Sequence, residues 1–270
     1  MLERIIGFIG CGNMGTAMLS GMISSNKFSP ENIICSAKSD ESKNKLREKF
    51  NVNIGNNIEV AEKSDILVLA IKPNLYKKVI KEIRENIKQN TIIVIIAAGI
   101  TIHDVESWFS IENLKITRAM PNTPALVGEA MTALCANENV TLEELEEIKE
   151  IFNSFGKVEE INEENFHGFI ALCGSSPAYA YMIIEAMGEA AIRFGIPANK
   201  AYNLAAQSLL GSAKMVLESN EHPAMLRDKV CSPGGTTIEA VTKLEEEGLR
   251  KAIINAMKTC EEKSKKMSKK

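Results

Sequence analysis

The spacing of apolar residues divides the chain in two. Up to about Asn162, short apolar runs alternate with longer segments of helical period, and beyond Glu163 the short runs stop. Residues 5–9, 32–36, 66–71 and 91–97 carry apolar side chains at successive positions rather than at every second one. Strands covered on both faces have that pattern, as in a parallel sheet with helices above and below. Residues 13–25, 40–50 and 74–87 read as the intervening helices, the last with Leu75, Val79, Ile83 and Ile87 on one face. Strands at 115–118 and 131–136 extend the sheet, and 142–155 reads as a helix stopped by Gly156. The order predicts an α/β Rossmann-type, doubly wound domain over residues 1–162.

Residues 163–270 predict an all-α domain. Helices are expected at 177–194, 199–218, 237–247 and 248–265, punctuated by Gly195-Ile196-Pro197 and by residues 219–223. Ala186, Gly188, Ala190, Ala191, Ala205, Ala206, Gly211 and Ala213 allow helices to approach closely. A helical domain this small and apolar is expected to complete its core as a homodimer.

The first strand runs into Ile9-Gly10-Cys11-Gly12-Asn13-Met14-Gly15, a G-x-G-x-x-G fingerprint between a strand and a helix. Gly10 suits the tight turn, Gly12 admits a pyrophosphate to the backbone, and Gly15 lets the helix pack on the strand. The helix N-terminus adds unpaired N–H groups and partial positive charge. A dinucleotide is the expected cofactor. The second strand ends in Ser36-Ala37-Lys38-Ser39, without the acidic residue that binds the ribose of NAD. Ser36 and Ser39 offer hydrogen bonds and Lys38 a charge to a 2′-phosphate, so NADPH is preferred, with NADH possible. Ala70-Ile71-Lys72-Pro73 and Ala97-Ala98 lie at the carboxyl ends of later strands, where such sheets bind ligands. Asn57 and Asn122 complete the candidate cofactor contacts.

Charge and cysteine usage narrow the class. The 270 residues carry a net charge of -3, with no basic field to attract nucleic acid. Residues 263–270 form a basic end, read as a solvated, frayed helix terminus. The six cysteines are far apart without a CxxC pair, and neither they nor the three histidines stand at metal-ligand spacing. No metal is expected, and the thiols read as reduced in a cytoplasmic protein. The strongest apolar run, 92–100, falls short of the roughly 18 residues of a membrane span, so no membrane association is expected.

A second motif is Cys231-Ser232-Pro233-Gly234-Gly235-Thr236-Thr237-Ile238-Glu239-Ala240. Two glycines after a proline open a helix among hydroxyl residues, and successive N–H groups in such a turn make an anion-binding nest. A plain N-cap by Thr236 or Ser232 is the alternative reading.

Taken together these residues resemble the pyrroline-5-carboxylate reductases. That family's C-terminal signature, Ser-Pro-Gly-Gly-x-Thr followed by two residues and Ala, is matched from Ser232 to Ala240. Val68-Leu69-Ala70-Ile71-Lys72-Pro73, Ala97-Ala98-Gly99-Ile100-Thr101 and Arg118-Ala119-Met120-Pro121-Asn122-Thr123-Pro124 also look like the family. So do Gln207 to Lys214, Glu221-His222-Pro223 and Leu226-Arg227-Asp228. Cys173 and Ser176 depart from the usual Ser-Gly-Ser-Gly-Pro-Ala-Tyr, and His167 stands where Asp is common.

The resemblance implies reduction of (S)-1-pyrroline-5-carboxylate to L-proline, the last step of proline biosynthesis, with NAD(P)H. By family analogy Thr237 orients the imine nitrogen, and Glu163 contacts the substrate across a dimer. Ser232, Gly234, Gly235, Thr236 and Thr237 would hold the substrate carboxylate. The family also forms rings of dimers. Two rivals keep the glycine fingerprint: a hydroxyacid or ketopantoate-type dehydrogenase, for which Lys214 would be the proton carrier, and a non-catalytic NADP(H) sensor. Lys214 reads rather as a surface or helix-capping residue, and a sensor has no reason to keep a carboxylate nest at 232–237.

Overall fold

The computed structural model describes residues 4–268, so the last two lysines of the basic end lie outside the described residues. The described residues fall into two compact units. The first runs to Gly174 and takes in the chain again from Cys260; the second is Ser175–Thr259.

The first unit is built on strands β1 (Ile6–Ile9), β2 (Ile33–Ser36), β3 (Asn53–Ile54), β4 (Ile66–Leu69), β5 (Ile92–Ile95), β6 (Lys115–Met120), β7 (Ala130–Ala136) and β8 (Gly156–Glu160). They form one sheet in the order β3-β2-β1-β4-β5-β6-β7-β8. Every neighbouring pair is parallel except β6 with β7, which are antiparallel. The strand order reverses between β1 and β4, whose register sets Ile9 opposite Leu69. Ligands of such sheets bind outside the carboxyl ends at that reversal.

Successive strand residues feed opposite faces, which is why these runs are apolar throughout. Phe8, Cys35, Val68 and Val94 pack with α1 (Asn13–Ser24), α2 (Asp40–Phe50) and α6 (Leu142–Asn153). Ile9, Ile34, Leu67, Leu69 and Ile95 pack on the other face with α3 (Asn57–Lys63), α4 (Tyr76–Ile83) and α5 (Ile102–Phe109).

Several elements, among them β3, β8, α3, α5 and the later helices at Phe166–Phe169 and Pro223–Val230, were absent from the apolar pattern. β3 is only two residues long and β8 is largely exposed, so neither makes an apolar run. Helices α3 and α5 are short, yet each opens on a reciprocal capping box, Asn56 with Glu59 and Thr101 with Asp104. The helix expected at 74–87 is shorter: Pro73–Leu75 form a 3₁₀ turn and α4 ends at Ile83.

The division at 162/163 also differs from the packing. After Glu163, α7 (Phe166–Phe169) and a π-helical turn at Ile170–Gly174 belong to the first unit. Phe166 and Phe169 are buried with Met120 and Ala133, closing a third small apolar cluster. The end of α12 (Leu249–Ser268) returns to the same unit, where Ser264 Oγ meets His167 Nδ1 at 2.9 Å.

The second unit contains α8 (Ser176–Arg193), α9 (Ala198–Ser219), α10 (Pro223–Val230), α11 (Thr236–Glu246) and the first part of α12. Helices α8 and α9 meet where Gly188 faces Tyr202, and a Cβ at Gly188 would stand 2.5 Å from that ring. Their other apolar side chains are largely uncovered: Tyr181, Met182, Phe194, Leu204 and Leu217 are all exposed. The helical run Glu163–Arg193, of mean hydropathy 1.2, is long and apolar enough to cross a membrane by length and composition. This run is longer than the one at residues 92–100, because its alanines and methionines keep it moderately apolar over a greater length.

Candidate active site

The glycine fingerprint has the geometry its spacing predicts. Gly10 has φ +81, and its N–H donates to the Ser36 carbonyl at 3.1 Å, tying the turn to the end of β2. A Cβ there would stand 2.5 Å from Ile71 and 2.8 Å from the Ala70 carbonyl. At Gly15 it would stand 3.0 Å from the Gly10 carbonyl and 3.3 Å from Ala70 Cβ, so the helix leans directly on the turn after β4. At Gly12 an added Cβ meets no atom within 4 Å. The backbone at Gly12 is thus open to a ligand while its neighbours are packed. Gly12 is also the N-cap of α1 and supplies no side chain to the first N–H groups, which Asn13, Met14 and Gly15 carry. The first turn holds no acidic residue. These features fit a pyrophosphate. Cys11 lies beside Cys35; their hydrogen bond, and then burial, push the Cys35 thiol far above its ordinary pKa.

Beyond β2 a cavity of about 450 Å³ brings together Ile9, Gly10, Ser36, Lys38, Asn57 and Ile71 from the sequence-predicted set. It also draws in Lys43, Lys78 and Glu82, which sequence reasoning missed. Lys78 and Glu82 are four residues apart on α4, the polar counterpart of the apolar stripe already visible there. Two expectations change at this end. The hydroxyl of buried Ser36 donates to Asn57 Oδ1 at 2.7 Å. Ser39 is the N-cap of α2, its Oγ accepting from the Ser42 N–H at 3.2 Å. The proton of Ser36 and the capping role of Ser39 are therefore already committed. Lys38 is exposed on the loop between them.

Ala70, Ile71, Lys72 and Pro73 follow β4, and Ala97 and Ala98 follow β5. The fully buried Tyr76 joins these two strand ends, donating to the Leu69 carbonyl at 2.5 Å and accepting from the Ile96 N–H at 3.3 Å. Desolvation raises its phenol pKa and keeps it a donor.

Two further side chains have partners that the sequence did not reveal. Asn122 Nδ2 donates to the Cys173 carbonyl at 2.9 Å, and its Oδ1 accepts from the Met131 N–H at 2.9 Å. The amide clips the segment after β6 to β7 and the π-helical turn, a structural role of this side chain that the sequence did not show. Glu163 Oε1 accepts from Arg118 Nη1 at 2.8 Å and from the Ile102 N–H at 2.9 Å. Arg118, 2% exposed, also stacks over Phe166, 4.4 Å from the ring centroid. The carboxylate expected to reach substrate across a dimer also neutralises a buried cation of its own chain.

In the second unit, Ser232-Pro233-Gly234-Gly235 form a turn closed by the Gly235 N–H to the Ser232 carbonyl at 3.0 Å. Proline at the second position and Gly234 at φ +66 in the third are the requirements of a type II turn. The bond corrects the expected donor set, because Gly235 has its N–H inside the turn. Thr236 and Thr237 open α11, where Gly235 is the N-cap and no side chain caps the helix. Their N–H groups have no intrahelical acceptor. The turn is largely exposed and Thr237 is half-buried.

The comparisons with known proteins cover both units. A family model described as pyrroline-5-carboxylate reductase dimerisation matches residues 163–267, and one described as NADP oxidoreductase, coenzyme F420-dependent, matches residues 5–99. The pyrroline-5-carboxylate reductase of Escherichia coli is 47% identical over 269 residues, covering 99% of this chain and 100% of that one. Among solved structures, a pyrroline-5-carboxylate reductase from Coxiella burnetii superposes with a TM-score of 0.93 at 34% identity, covering 99% of each chain. The Plasmodium falciparum pyrroline carboxylate reductase with NADP bound gives 0.89 at 32% identity, again covering 99% of each. The sheet-bearing domain is an NADP-binding domain and the helical segment a dimerisation domain. With whole-length identity at this level, the chain belongs to the pyrroline-5-carboxylate reductase family of oxidoreductases.

Proposed function

We propose that this member of the family reduces (S)-1-pyrroline-5-carboxylate to L-proline with NADPH as the preferred donor, accepting NADH. The N-terminus of α11 behind the Pro233-Gly234 turn carries the reading, since no side chain caps its first N–H groups and such a terminus favours an anion. The N–H groups of Gly234, Thr236 and Thr237 hold the substrate carboxylate, with Ser232 at the rim and Gly235 shaping the turn. The Thr237 hydroxyl orients the imine nitrogen. The nicotinamide, when bound, supplies the hydride to the imine carbon. The nitrogen carries its proton as the iminium or takes one from solvent, which fits the lack of a histidine or lysine beside Thr237 in α11's first turn. Hydride transfer needs the two carbons roughly 3–3.5 Å apart, so positioning carries much of the rate.

For the cofactor, the backbone of Cys11, Gly12, Asn13 and Met14 receives the pyrophosphate. Lys38, with Lys43 and Lys78, receives the 2′-phosphate, and the turns at 70–73 and 97–98 receive the nicotinamide end. The exposed apolar faces of α8 and α9 pack on a second copy, which also accounts for the apolar run without a membrane. The assembly is at least a homodimer, with a ring of dimers as the larger form the family resemblance implies, and the lack of a disulfide among the described residues suits the cytoplasm.

Loss of NADPH absorbance with synthetic pyrroline-5-carboxylate tests the reaction, with short hydroxy acids as competing substrates under NADP⁺. Turnover of the imine alone is expected. Turnover of a hydroxy acid in its place, or cofactor oxidation indifferent to the imine, overturns the reading. A monomeric mass at every concentration overturns the dimer.

A further inference from the structure

At the 2′ end of the cofactor cavity three side chains form one hydrogen-bonded chain. Both carboxylate oxygens of Glu82, on α4, accept from Asn57 Nδ2, at 3.2 and 3.1 Å. The same amide's Oδ1 accepts from Ser36 Oγ at 2.7 Å. All three line the cavity. Chemistry dictates the direction of the chain. An ionised carboxylate only accepts, so Asn57 turns its NH₂ to Glu82 and its carbonyl to Ser36. Ser36 gives its single proton to Asn57 and presents only lone pairs to a ligand.

A ribose hydroxyl can donate to those lone pairs, whereas a phosphate dianion has no proton to donate. Glu82 also brings negative charge to the cavity that Lys38 and Lys78 make positive, while the third lysine there, Lys43, is paired with Asp40 at 3.1 Å. The site therefore combines cations that favour a 2′-phosphate with a carboxylate and a polarised serine that favour a 2′-hydroxyl.

We propose that Glu82 is a specificity-determining residue that holds this site between NADPH and NADH, by fixing Asn57 and so keeping Ser36 an acceptor. The inference deepens the reading of the chain as an NAD(P)H-dependent reductase and rests on it. Glu82 acts through Asn57 and through its charge, which makes it a positioning residue.

The test uses the full-length protein and two fragments without nicotinamide, adenosine 2′,5′-bisphosphate and 5′-AMP, with dissociation constants from calorimetry. Glu82→Gln removes the charge and keeps an acceptor for Asn57. Glu82→Lys only donates, so the amide must turn over, its NH₂ facing Ser36 and freeing the serine proton. Preference for the bisphosphate over AMP is expected to rise roughly fivefold in Glu82→Gln and further in Glu82→Lys. The ratio of kcat/KM with NADPH to that with NADH should move the same way, through KM. Equal weakening of both fragments would mean that Glu82 only props the loop, and it overturns the proposal, as does an unmoved ratio. Failure of the wild-type protein to bind either fragment would instead overturn the reading of the dinucleotide site, and this proposal with it.

Discussion

Arg118 Nη1 donates to Glu163 Oε1 at 2.8 Å, joining the middle of β6 to the segment that leads into α7. The guanidinium is almost wholly buried, and its Nε and Nη2 have no partner among the described residues. Among the described residues Glu163 is the carboxylate paired with that charge, and it also receives the first N–H of α5. Its negative charge, after burial itself, helps push the Cys135 thiol up to about 12. Removing one member of a buried pair leaves the other uncompensated. Glu163→Ala is expected to lose about 3 kcal/mol of stability in urea unfolding at fixed protein concentration, and Glu163→Gln less, because its amide oxygen still accepts. A direct substrate contact would give the opposite signature: a raised KM for the imine at an unchanged midpoint.

Gly10 and Gly12 separate folding from binding within one loop. A Cβ at Gly10 meets Ile71 and Ala70 and requires φ +81, whereas one at Gly12 meets nothing. Gly10→Ala should therefore lower the melting temperature. Gly12→Ala should melt as the wild type does yet raise the NADPH dissociation constant about tenfold or more, since its methyl occupies the pyrophosphate approach. Unimpaired NADPH binding by Gly12→Ala would remove the loop from the cofactor site.

The difference between what was legible in the sequence and what was not follows sequence separation. β1, β2, β4 and β5 are covered on both faces, so their runs were readable without any partner in view. The glycine fingerprint and the Ser232–Thr237 turn were readable for the same reason, each being a local backbone device. The Ser36–Asn57–Glu82 chain draws on three separate elements, and its meaning depends on which way one amide points. The polar groups of Asn122 and Glu163 likewise found partners 51 and 45 residues away, which no motif encodes. Capping boxes at Asn56 and Thr101 were the overlooked local signal for α3 and α5.

Thr237 carries the chemistry assigned to the helical unit. As the second residue of α11, directly after the Ser232–Gly235 turn, it has an N–H without an intrahelical acceptor. Thr237→Ala is expected to lower kcat/KM for the imine about tenfold or more, the effect of losing a hydrogen bond worth ~1.5–3 kcal/mol to a charged group, and Thr237→Ser should restore most of it. NADPH affinity should stay constant in both. Full activity in Thr237→Ala would take this hydroxyl out of the mechanism.

His167 supplies a pH dependence of stability. Its Nδ1 meets Ser264 Oγ at 2.9 Å, holding the end of α12 against α7. Burial first, then the charges of Arg118 and Lys265, lower its pKa below the ordinary 6.5, with Glu261 opposing. Below that ordinary value the unfolded chain binds a proton that the folded chain resists, so folding weakens as pH falls. The contribution is complete above about pH 6.5 and is lost as pH drops through the lowered folded value. Asp65 and Glu144, also shifted down against the opposing effect of burial by Lys88 and Lys115 respectively, titrate in a more acidic window. Melting temperatures measured at several pH values between about 7.5 and 5.5 should fall for the wild type. His167→Gln keeps a hydrogen-bonding side chain at this position but does not titrate, so its melting temperature should fall less over the same range. Parallel curves for the two proteins would assign the loss to other groups and leave the His167–Ser264 contact without a role in it.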